Sequence, residues 1–192
     1  YNKVKNGGLV VAPAASAIVE IENDKIYHRS QINSDVALLD SGFFCILLRI
    51  FKNQKVKKLS GYKFLKQFIN LRFNKDKVVL MIDPSKTESY YNKKYLRLNK
   101  FKKIHSYIAP FYKSNKYFSK DKKLIRYINK IKPKFIIINI AGGKQEPLGL
   151  YLKNNISKKT TIICTGAAIA FLTKRQAPIN DIVDKLYLGW AL

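Results

Sequence analysis

An uninterrupted apolar run, Phe135 to Ile140, feeds directly into Gly142-Gly143 and then into Lys144-Gln145-Glu146, which opens a second amphipathic segment. A run this uniformly apolar does not suit a strand with one wet face, so it reads as a strand covered on both sides, as in a parallel sheet layered between helices. Ligands of such sheets sit beyond the carboxyl ends of the strands. There a glycine pair lets the backbone turn sharply and approach a ligand, and the N–H groups that open the next helix favour an anion such as a diphosphate. A plain tight turn accounts for two adjacent glycines equally well.

The same strand, turn, helix alternation recurs along the chain. Strands are expected at Leu9 to Val11, Val36 to Leu39, Val78 to Ile82, Ile104 to Ile108, Phe135 to Ile140 and Thr161 to Cys164. Helices are expected at Ala14 to Tyr27, Phe43 to Lys52, Tyr62 to Phe73, Thr87 to Leu98, Asp121 to Ile131, Gln145 to Asn155, Ala167 to Thr173 and Ile179 to Leu192. Apolar spacing gives three of these helices core faces of Tyr91/Tyr95/Leu98, Leu124/Ile128/Ile131 and Ile182/Val183/Leu186. Ser119 and Pro178 are expected helix starts, and Lys113 to Lys120 reads as a surface loop. The alternation predicts an α/β fold, a Rossmann-like and largely parallel sheet with helices on both faces. With 192 residues, no repeat and no Gly/Ser linker, residues 1–192 are expected to form a single domain.

A formal charge of +25 calls for an anionic partner: nucleic acid, an acidic membrane surface or a phosphorylated substrate. The excess is densest from Lys86 to Lys134, where aromatics from Tyr90 to Phe118 are interleaved with the cations and only Glu88 and Asp121 oppose them. That pattern is compatible with single-strand binding and equally with ordinary solvated lysine faces. The densest apolar run, Phe43 to Ile50, falls well short of the ~20 residues that span a bilayer. Cys45 and Cys164 both lie in apolar runs, which suits buried, reduced thiols.

Two aspartates stand where such sheets present catalytic groups: Asp40 after Val36 to Leu39, and Asp83 after Val78 to Ile82. Each is a candidate general base, each equally suits the cap of the following helix, and placement does not rank them. Glu146 suits a ligand hydroxyl or simply the dipole of a first helical turn. Glu20, Glu22 and Asp24 do not share one helix face, and His28 and His105 have no partner at ligand spacing, so no metal site is expected.

Four segments, taken in order, resemble the WecG/TagA/CpsF family of bacterial glycosyltransferases: VVAPAAS, NSDVALLDSG, the pair VKKLSG and AGGKQEPLG, and TGAAIAFLTKRQAPINDIVDKLYLGWAL. The resemblance implies an inverting, metal-independent transfer of an N-acetylmannosamine-like or related sugar from a UDP-sugar to a polyprenyl-diphosphate-linked acceptor in cell-surface polysaccharide synthesis. It places the base on Asp40, the family Gln-Glu on Gln145 and Glu146, and the Gly-Ala turn on Gly166 and Ala167. Around the leaving UDP stand Gly142, Gly143 and Lys144, with Lys58 before the glycine turn at Gly61. No cofactor is implied. The implied location is the cytoplasm, peripherally on the anionic inner face of the membrane, with self-association left open and the family's basic docking tail expected beyond Leu192. The chain departs from the family pattern at Ala14, Lys58, Lys63, Gln176 and Gly189. Two other readings stay open: a basic single-strand-binding protein, and a family member that binds nucleotide sugar without turnover.

Overall fold

Runs that are apolar on both faces have to be roofed twice, and the chain does this with one six-stranded sheet. In a computed structural model, residues 4–13, 23–54, 56, 58–114, 118 and 121–176 are described. The strands are β1 (Gly8–Val11), β2 (Val36–Ala37), β3 (Val78–Asp83), β4 (Lys103–Ile108), β5 (Phe135–Ile138) and β6 (Thr161–Cys164). All pair in parallel, in the order β2-β1-β6-β5-β3-β4. Helices α1 (Lys25–Ile32), α2 (Gly42–Lys52), α3 (Gly61–Asn70), α4 (Lys86–Leu98), α5 (Lys122–Ile131), α6 (Gln145–Asn155) and α7 (Ala168–Leu172) connect or follow them. The α/β, Rossmann-like architecture is the expected one.

Alternate strand residues go to opposite sides. Val10, Val79, Met81, Phe135, Ile137 and Ile163 pack under Phe64, Leu65 and Phe68 of α3, Leu96 of α4 and Ile169 of α7. Leu9, Val11, Leu80, Ile82, Ile136, Ile138 and Ile162 pack under Leu124 and Ile128 of α5 and Leu148 and Leu152 of α6. The helix that follows β3 and the helix that follows β5 therefore lie on opposite faces, which makes the β3/β5 junction a topological switch point.

Several boundaries differ from expectation. Strand β2 stops at Ala37, although the Leu38 N–H still reaches the Val11 carbonyl at 2.8 Å. Strand β5 stops at Ile138, and the polar Asn139 follows with its N–H on the Ile82 carbonyl at 2.8 Å. Asp24 caps α1 by accepting from Ile26 and Tyr27, so it stands before that helix rather than within it; residues 14–22 of the expected helix lie outside the described residues. Asn70 ends α3, and Arg72–Asn74 forms a separate 3₁₀ turn. Asp121, accepting from Leu124, caps α5 instead of opening it, while Ser119 lies outside the described residues.

The expected core face of α4 holds at Tyr95, half-buried against the core, but not at Tyr91 or Leu98. Ser89, Asn92 and Leu96 are its buried residues, whereas Leu98 is exposed. Polar residues turn inward here because Asp83 needs hydrogen-bond donors, as described below. The segment expected as surface, Lys113 to Lys120, contains Phe118, which is buried against Tyr112 at a ring separation of 4.8 Å. Phe101 and Tyr112 are likewise buried, so the aromatics among the lysines are divided between core and surface rather than forming one stacking platform. The Ile179 to Leu192 helix, with Ile182, Val183 and Leu186, and Pro178 and Gly189 lie outside the described residues.

Candidate active site

Across the carboxyl edge of the sheet, the chain sets out Asp40 after β2, Ala12 after β1, Thr165-Gly166 after β6, Gly142 to Glu146 after β5 and Asp83 at the end of β3. With strands spaced ~4.8 Å apart, β2 and β6 lie roughly 10 Å from each other.

The glycine turn after β5 is held from below by its own helix. Glu146, 1% exposed, accepts a 2.9 Å hydrogen bond from the Gly143 N–H at Oε2 and a 3.1 Å bond from Gln145 Nε2 at Oε1. Gln145 Oε1 in turn accepts the Gly166 N–H at 3.1 Å. The Gln-Glu pair thus stitches the β5 turn to the β6 turn, and both glycines sit at left-handed φ, 74° at Gly143 and 62° at Gly166. Nothing lies within 4 Å of where a side chain would start at Gly142 or Gly143, so this turn is open on its outer side. Burial pushes the Glu146 carboxyl up from its ordinary range, against the pull of the Gly143 and Gln145 donors. The buried Tyr27 of α1 is raised by burial and by the Glu146 charge, and its hydroxyl has no hydrogen-bond partner among the described residues.

Helix α6 hangs low on the sheet because residue 149 is glycine. A Cβ there would stand 2.8 Å from Leu9 Cδ1 and 2.9 Å from Cys164 Sγ. Cys164, buried and reduced, donates to the Gln145 carbonyl at 3.3 Å. This close approach fixes the height at which Gln145 and Glu146 stand.

A second set of residues reaches the same place from β2. The Leu59 N–H bonds to the Leu39 carbonyl at 3.2 Å, bringing 58–60 back alongside 39–41. Ser60 then caps α3 by accepting from the Lys63 N–H at 3.2 Å. Gly61 presses against Ala12 and Thr165, where a Cβ would meet the Thr165 carbonyl at 3.0 Å and the Ala12 Cβ at 3.1 Å. Lys58 counteracts the upward effect of burial on Cys45 of α2, which puts its charge near that helix. Asp40 is half-buried, and the N-cap position of α2 belongs to the next residue, since the Ser41 carbonyl accepts the Cys45 N–H at 3.1 Å. Ala167 and Lys144 are partly or largely exposed beside the two glycine turns.

Asp83 is not the helix cap that its position also suited. Ser85 caps α4, and the Asp83 side chain, 0% exposed, instead accepts from Asn92 Nδ2 and Asn139 Nδ2 at 2.8 Å each. Burial raises its pKa, with hydrogen bonds from Asn139, Asn92 and Ser89 pulling the other way. The amide oxygens of Asn92 and Asn139 have no partner among the described residues. Sequence reasoning missed this polar cluster, and also Thr165, whose buried hydroxyl lacks a partner where Gly61 touches it. Asn139 was the available signal, as the polar residue interrupting an otherwise apolar run.

No cluster of three or more His, Cys, Asp or Glu residues among the described residues is arranged to hold a metal ion. Among them, no helix is long and apolar enough to cross a membrane.

Two glycine turns, a Gln-Glu clamp and two strand-end aspartates thus stand along the carboxyl edge of one parallel sheet, the edge at which such folds place their ligands. Residues 2–192 match the family model described as glycosyl transferase WecG/TagA/CpsF family, and the chain belongs to this family. It is therefore a glycosyltransferase of cell-surface polysaccharide synthesis, a family that in general uses a nucleotide-sugar donor and a lipid-linked acceptor. No curated protein matches the chain.

Proposed function

We propose that residues 1–192 form one catalytic domain that moves an N-acetylmannosamine-like or related sugar from UDP to a polyprenyl-diphosphate-linked sugar, with inversion and without a metal ion. The observation that carries this reading is the Gln145 bridge, which joins the β5 and β6 glycine turns about two strands from Asp40. The diphosphate sits beside these turns against the N–H groups of Gly142 and Ala167, since those of Gly143 and Gly166 are taken by Glu146 and Gln145. Lys144 and Lys58 supply positive charge for the leaving UDP in place of a metal. Asp40 accepts the proton of the acceptor hydroxyl as its oxygen attacks the anomeric carbon from the side opposite the UDP, a role that typically contributes ~10²–10⁴-fold. The acceptor is presented at the anionic inner face of the membrane, which the +25 charge favours.

A thermal-shift series with UDP, UDP-sugars and single-stranded oligonucleotides, each with and without EDTA, tests the proposal. UDP compounds are expected to stabilise by ~2.7 kcal/mol at a hundred times their Kd, equally in EDTA. A shift only with oligonucleotides, or only with added manganese, would refute the donor or the metal-free reading respectively. Stabilisation by UDP-sugar without turnover on any lipid-linked acceptor would identify a binding protein that has lost its chemistry.

A further inference from the structure

Between Leu39 and Leu59 the chain makes an excursion from the sheet edge. It leaves just after Asp40, runs as α2, turns at the left-handed Asn53 (φ 48°) and returns to the Leu39 carbonyl through the Leu59 N–H. From Cys45 on, burial fades along α2: Cys45 is buried, Ile46, Leu47 and Leu48 are half-buried, and Arg49, Ile50, Phe51 and Lys52 are all exposed. Ile50 is 67% exposed and Phe51 75%. The far end of the helix therefore presents two large apolar side chains with a cation on either side.

We infer that this tip, Ile50 and Phe51 between Arg49 and Lys52, is where the protein inserts into an anionic phospholipid surface. Apolar side chains flanked by Lys and Arg match the two layers they would meet, acyl chains below and phosphates above. A protein groove fits them less well, since lysine is depleted from protein interfaces. The eleven residues of α2 rise by about 16 Å, so an upright helix holds Asp40 above the lipid phosphates rather than among them. This height would bring a lipid-linked sugar up to the base while its tail stays in the membrane. The inference deepens the membrane-facing reading proposed above and rests on it for the acceptor, but insertion itself does not require turnover.

Co-sedimentation with vesicles of phosphatidylcholine, alone or mixed with phosphatidylglycerol, tests it on the full chain. Ile50→Glu/Phe51→Glu is expected to weaken binding to mixed vesicles by roughly tenfold or more. Arg49→Gln/Lys52→Gln should reduce the preference for mixed over neutral vesicles, and Phe51→Trp should bind like the parent. All three should keep the UDP-induced melting shift and turnover on a short-chain, water-soluble acceptor, while the Glu pair loses turnover on a long-chain acceptor in vesicles. Parent-like sedimentation of the Glu pair would overturn the inference. So would a Glu pair that only dissociates an oligomer, because a second copy of the chain would then be what covers the tip. Absent turnover on both acceptors, with vesicle binding still lost in the Glu pair, would instead count against the glycosyltransferase mechanism and leave insertion standing.

Discussion

Asp83 Oδ1 accepts a 2.8 Å hydrogen bond from Asn139 Nδ2, tying the carboxyl ends of β3 and β5 together at the point where their following helices part. The bond joins residues 56 apart in sequence, and Asn92 of α4 adds a second 2.8 Å bond to the same oxygen. Two acceptor oxygens around it lack a donor among the described residues, Asn92 Oδ1 and Asn139 Oδ1. A carboxylate in such company is the costlier form, in line with its raised pKa.

Asp83→Asn should therefore stabilise the fold at neutral pH. A folded-state pKa raised above the unfolded value makes the parent most stable below the ordinary carboxylate pKa of 3.8 and less stable as pH rises through the shifted value. The variant removes that dependence and offers an N–H to the unpaired oxygens, each of which costs about 1–3 kcal/mol. The melting-temperature gain over the parent should thus grow as pH rises above the ordinary carboxylate value of 3.8. A uniform loss of melting temperature would mean that the carboxylate itself is needed.

Asp40→Asn should lower turnover at least roughly a hundredfold while leaving UDP affinity and melting temperature nearly unchanged. The N-cap position of α2 is occupied by Ser41, and Asn resembles Asp in shape, so folding should survive. Near-normal single-turnover rates in the variant would remove Asp40 from the chemistry.

Gly142→Ala and Gly149→Ala should separate ligand contact from packing. At Gly142 no atom lies within 4 Å of the added methyl group, so the melting temperature should hold while the Kd for UDP rises. At Gly149 the methyl group collides with Leu9 and Cys164, and the fold should lose about 1–3 kcal/mol. Unchanged UDP affinity in Gly142→Ala would move the diphosphate away from the β5 turn.

Gln145→Ala removes the acceptor for the Gly166 N–H and should cost about 1–3 kcal/mol of stability together with UDP affinity. Calorimetric titration with UDP reads the second effect. An affinity equal to the parent's would show that the β6 turn does not depend on the bridge for binding.

Much of the fold was legible because apolar runs such as Val78 to Ile82 and Phe135 to Ile138 can only be buried twice over, and the helical stretches between them leave parallel pairing as the outcome. The glycine turns and Gln145-Glu146 were legible as a ligand elbow, but the reach of Gln145 to Gly166 was not, because it joins residues 21 apart. The α4 face was misread in part, for a related reason. Helical periodicity favours Tyr91, Tyr95 and Leu98, and only the demand of Asp83 for donors from another element turns Asn92 inward. The exposure of the α2 tip was equally hidden, since Phe43 to Ile50 reads as any apolar helix until its return to Leu39 is known.

The excursion that carries α2 opens and closes on residues already side by side, so its length is nearly independent of everything else in the molecule. Doubling a closed loop adds only about 0.6 kcal/mol, whereas one more helical turn would lengthen α2 by about 5.4 Å. The distance between the reactive edge and whatever the tip rests on is thus an adjustable dimension: insertions or deletions between Gly42 and Lys52 could refit the enzyme to a longer or shorter acceptor headgroup while the sheet beneath stays as it is.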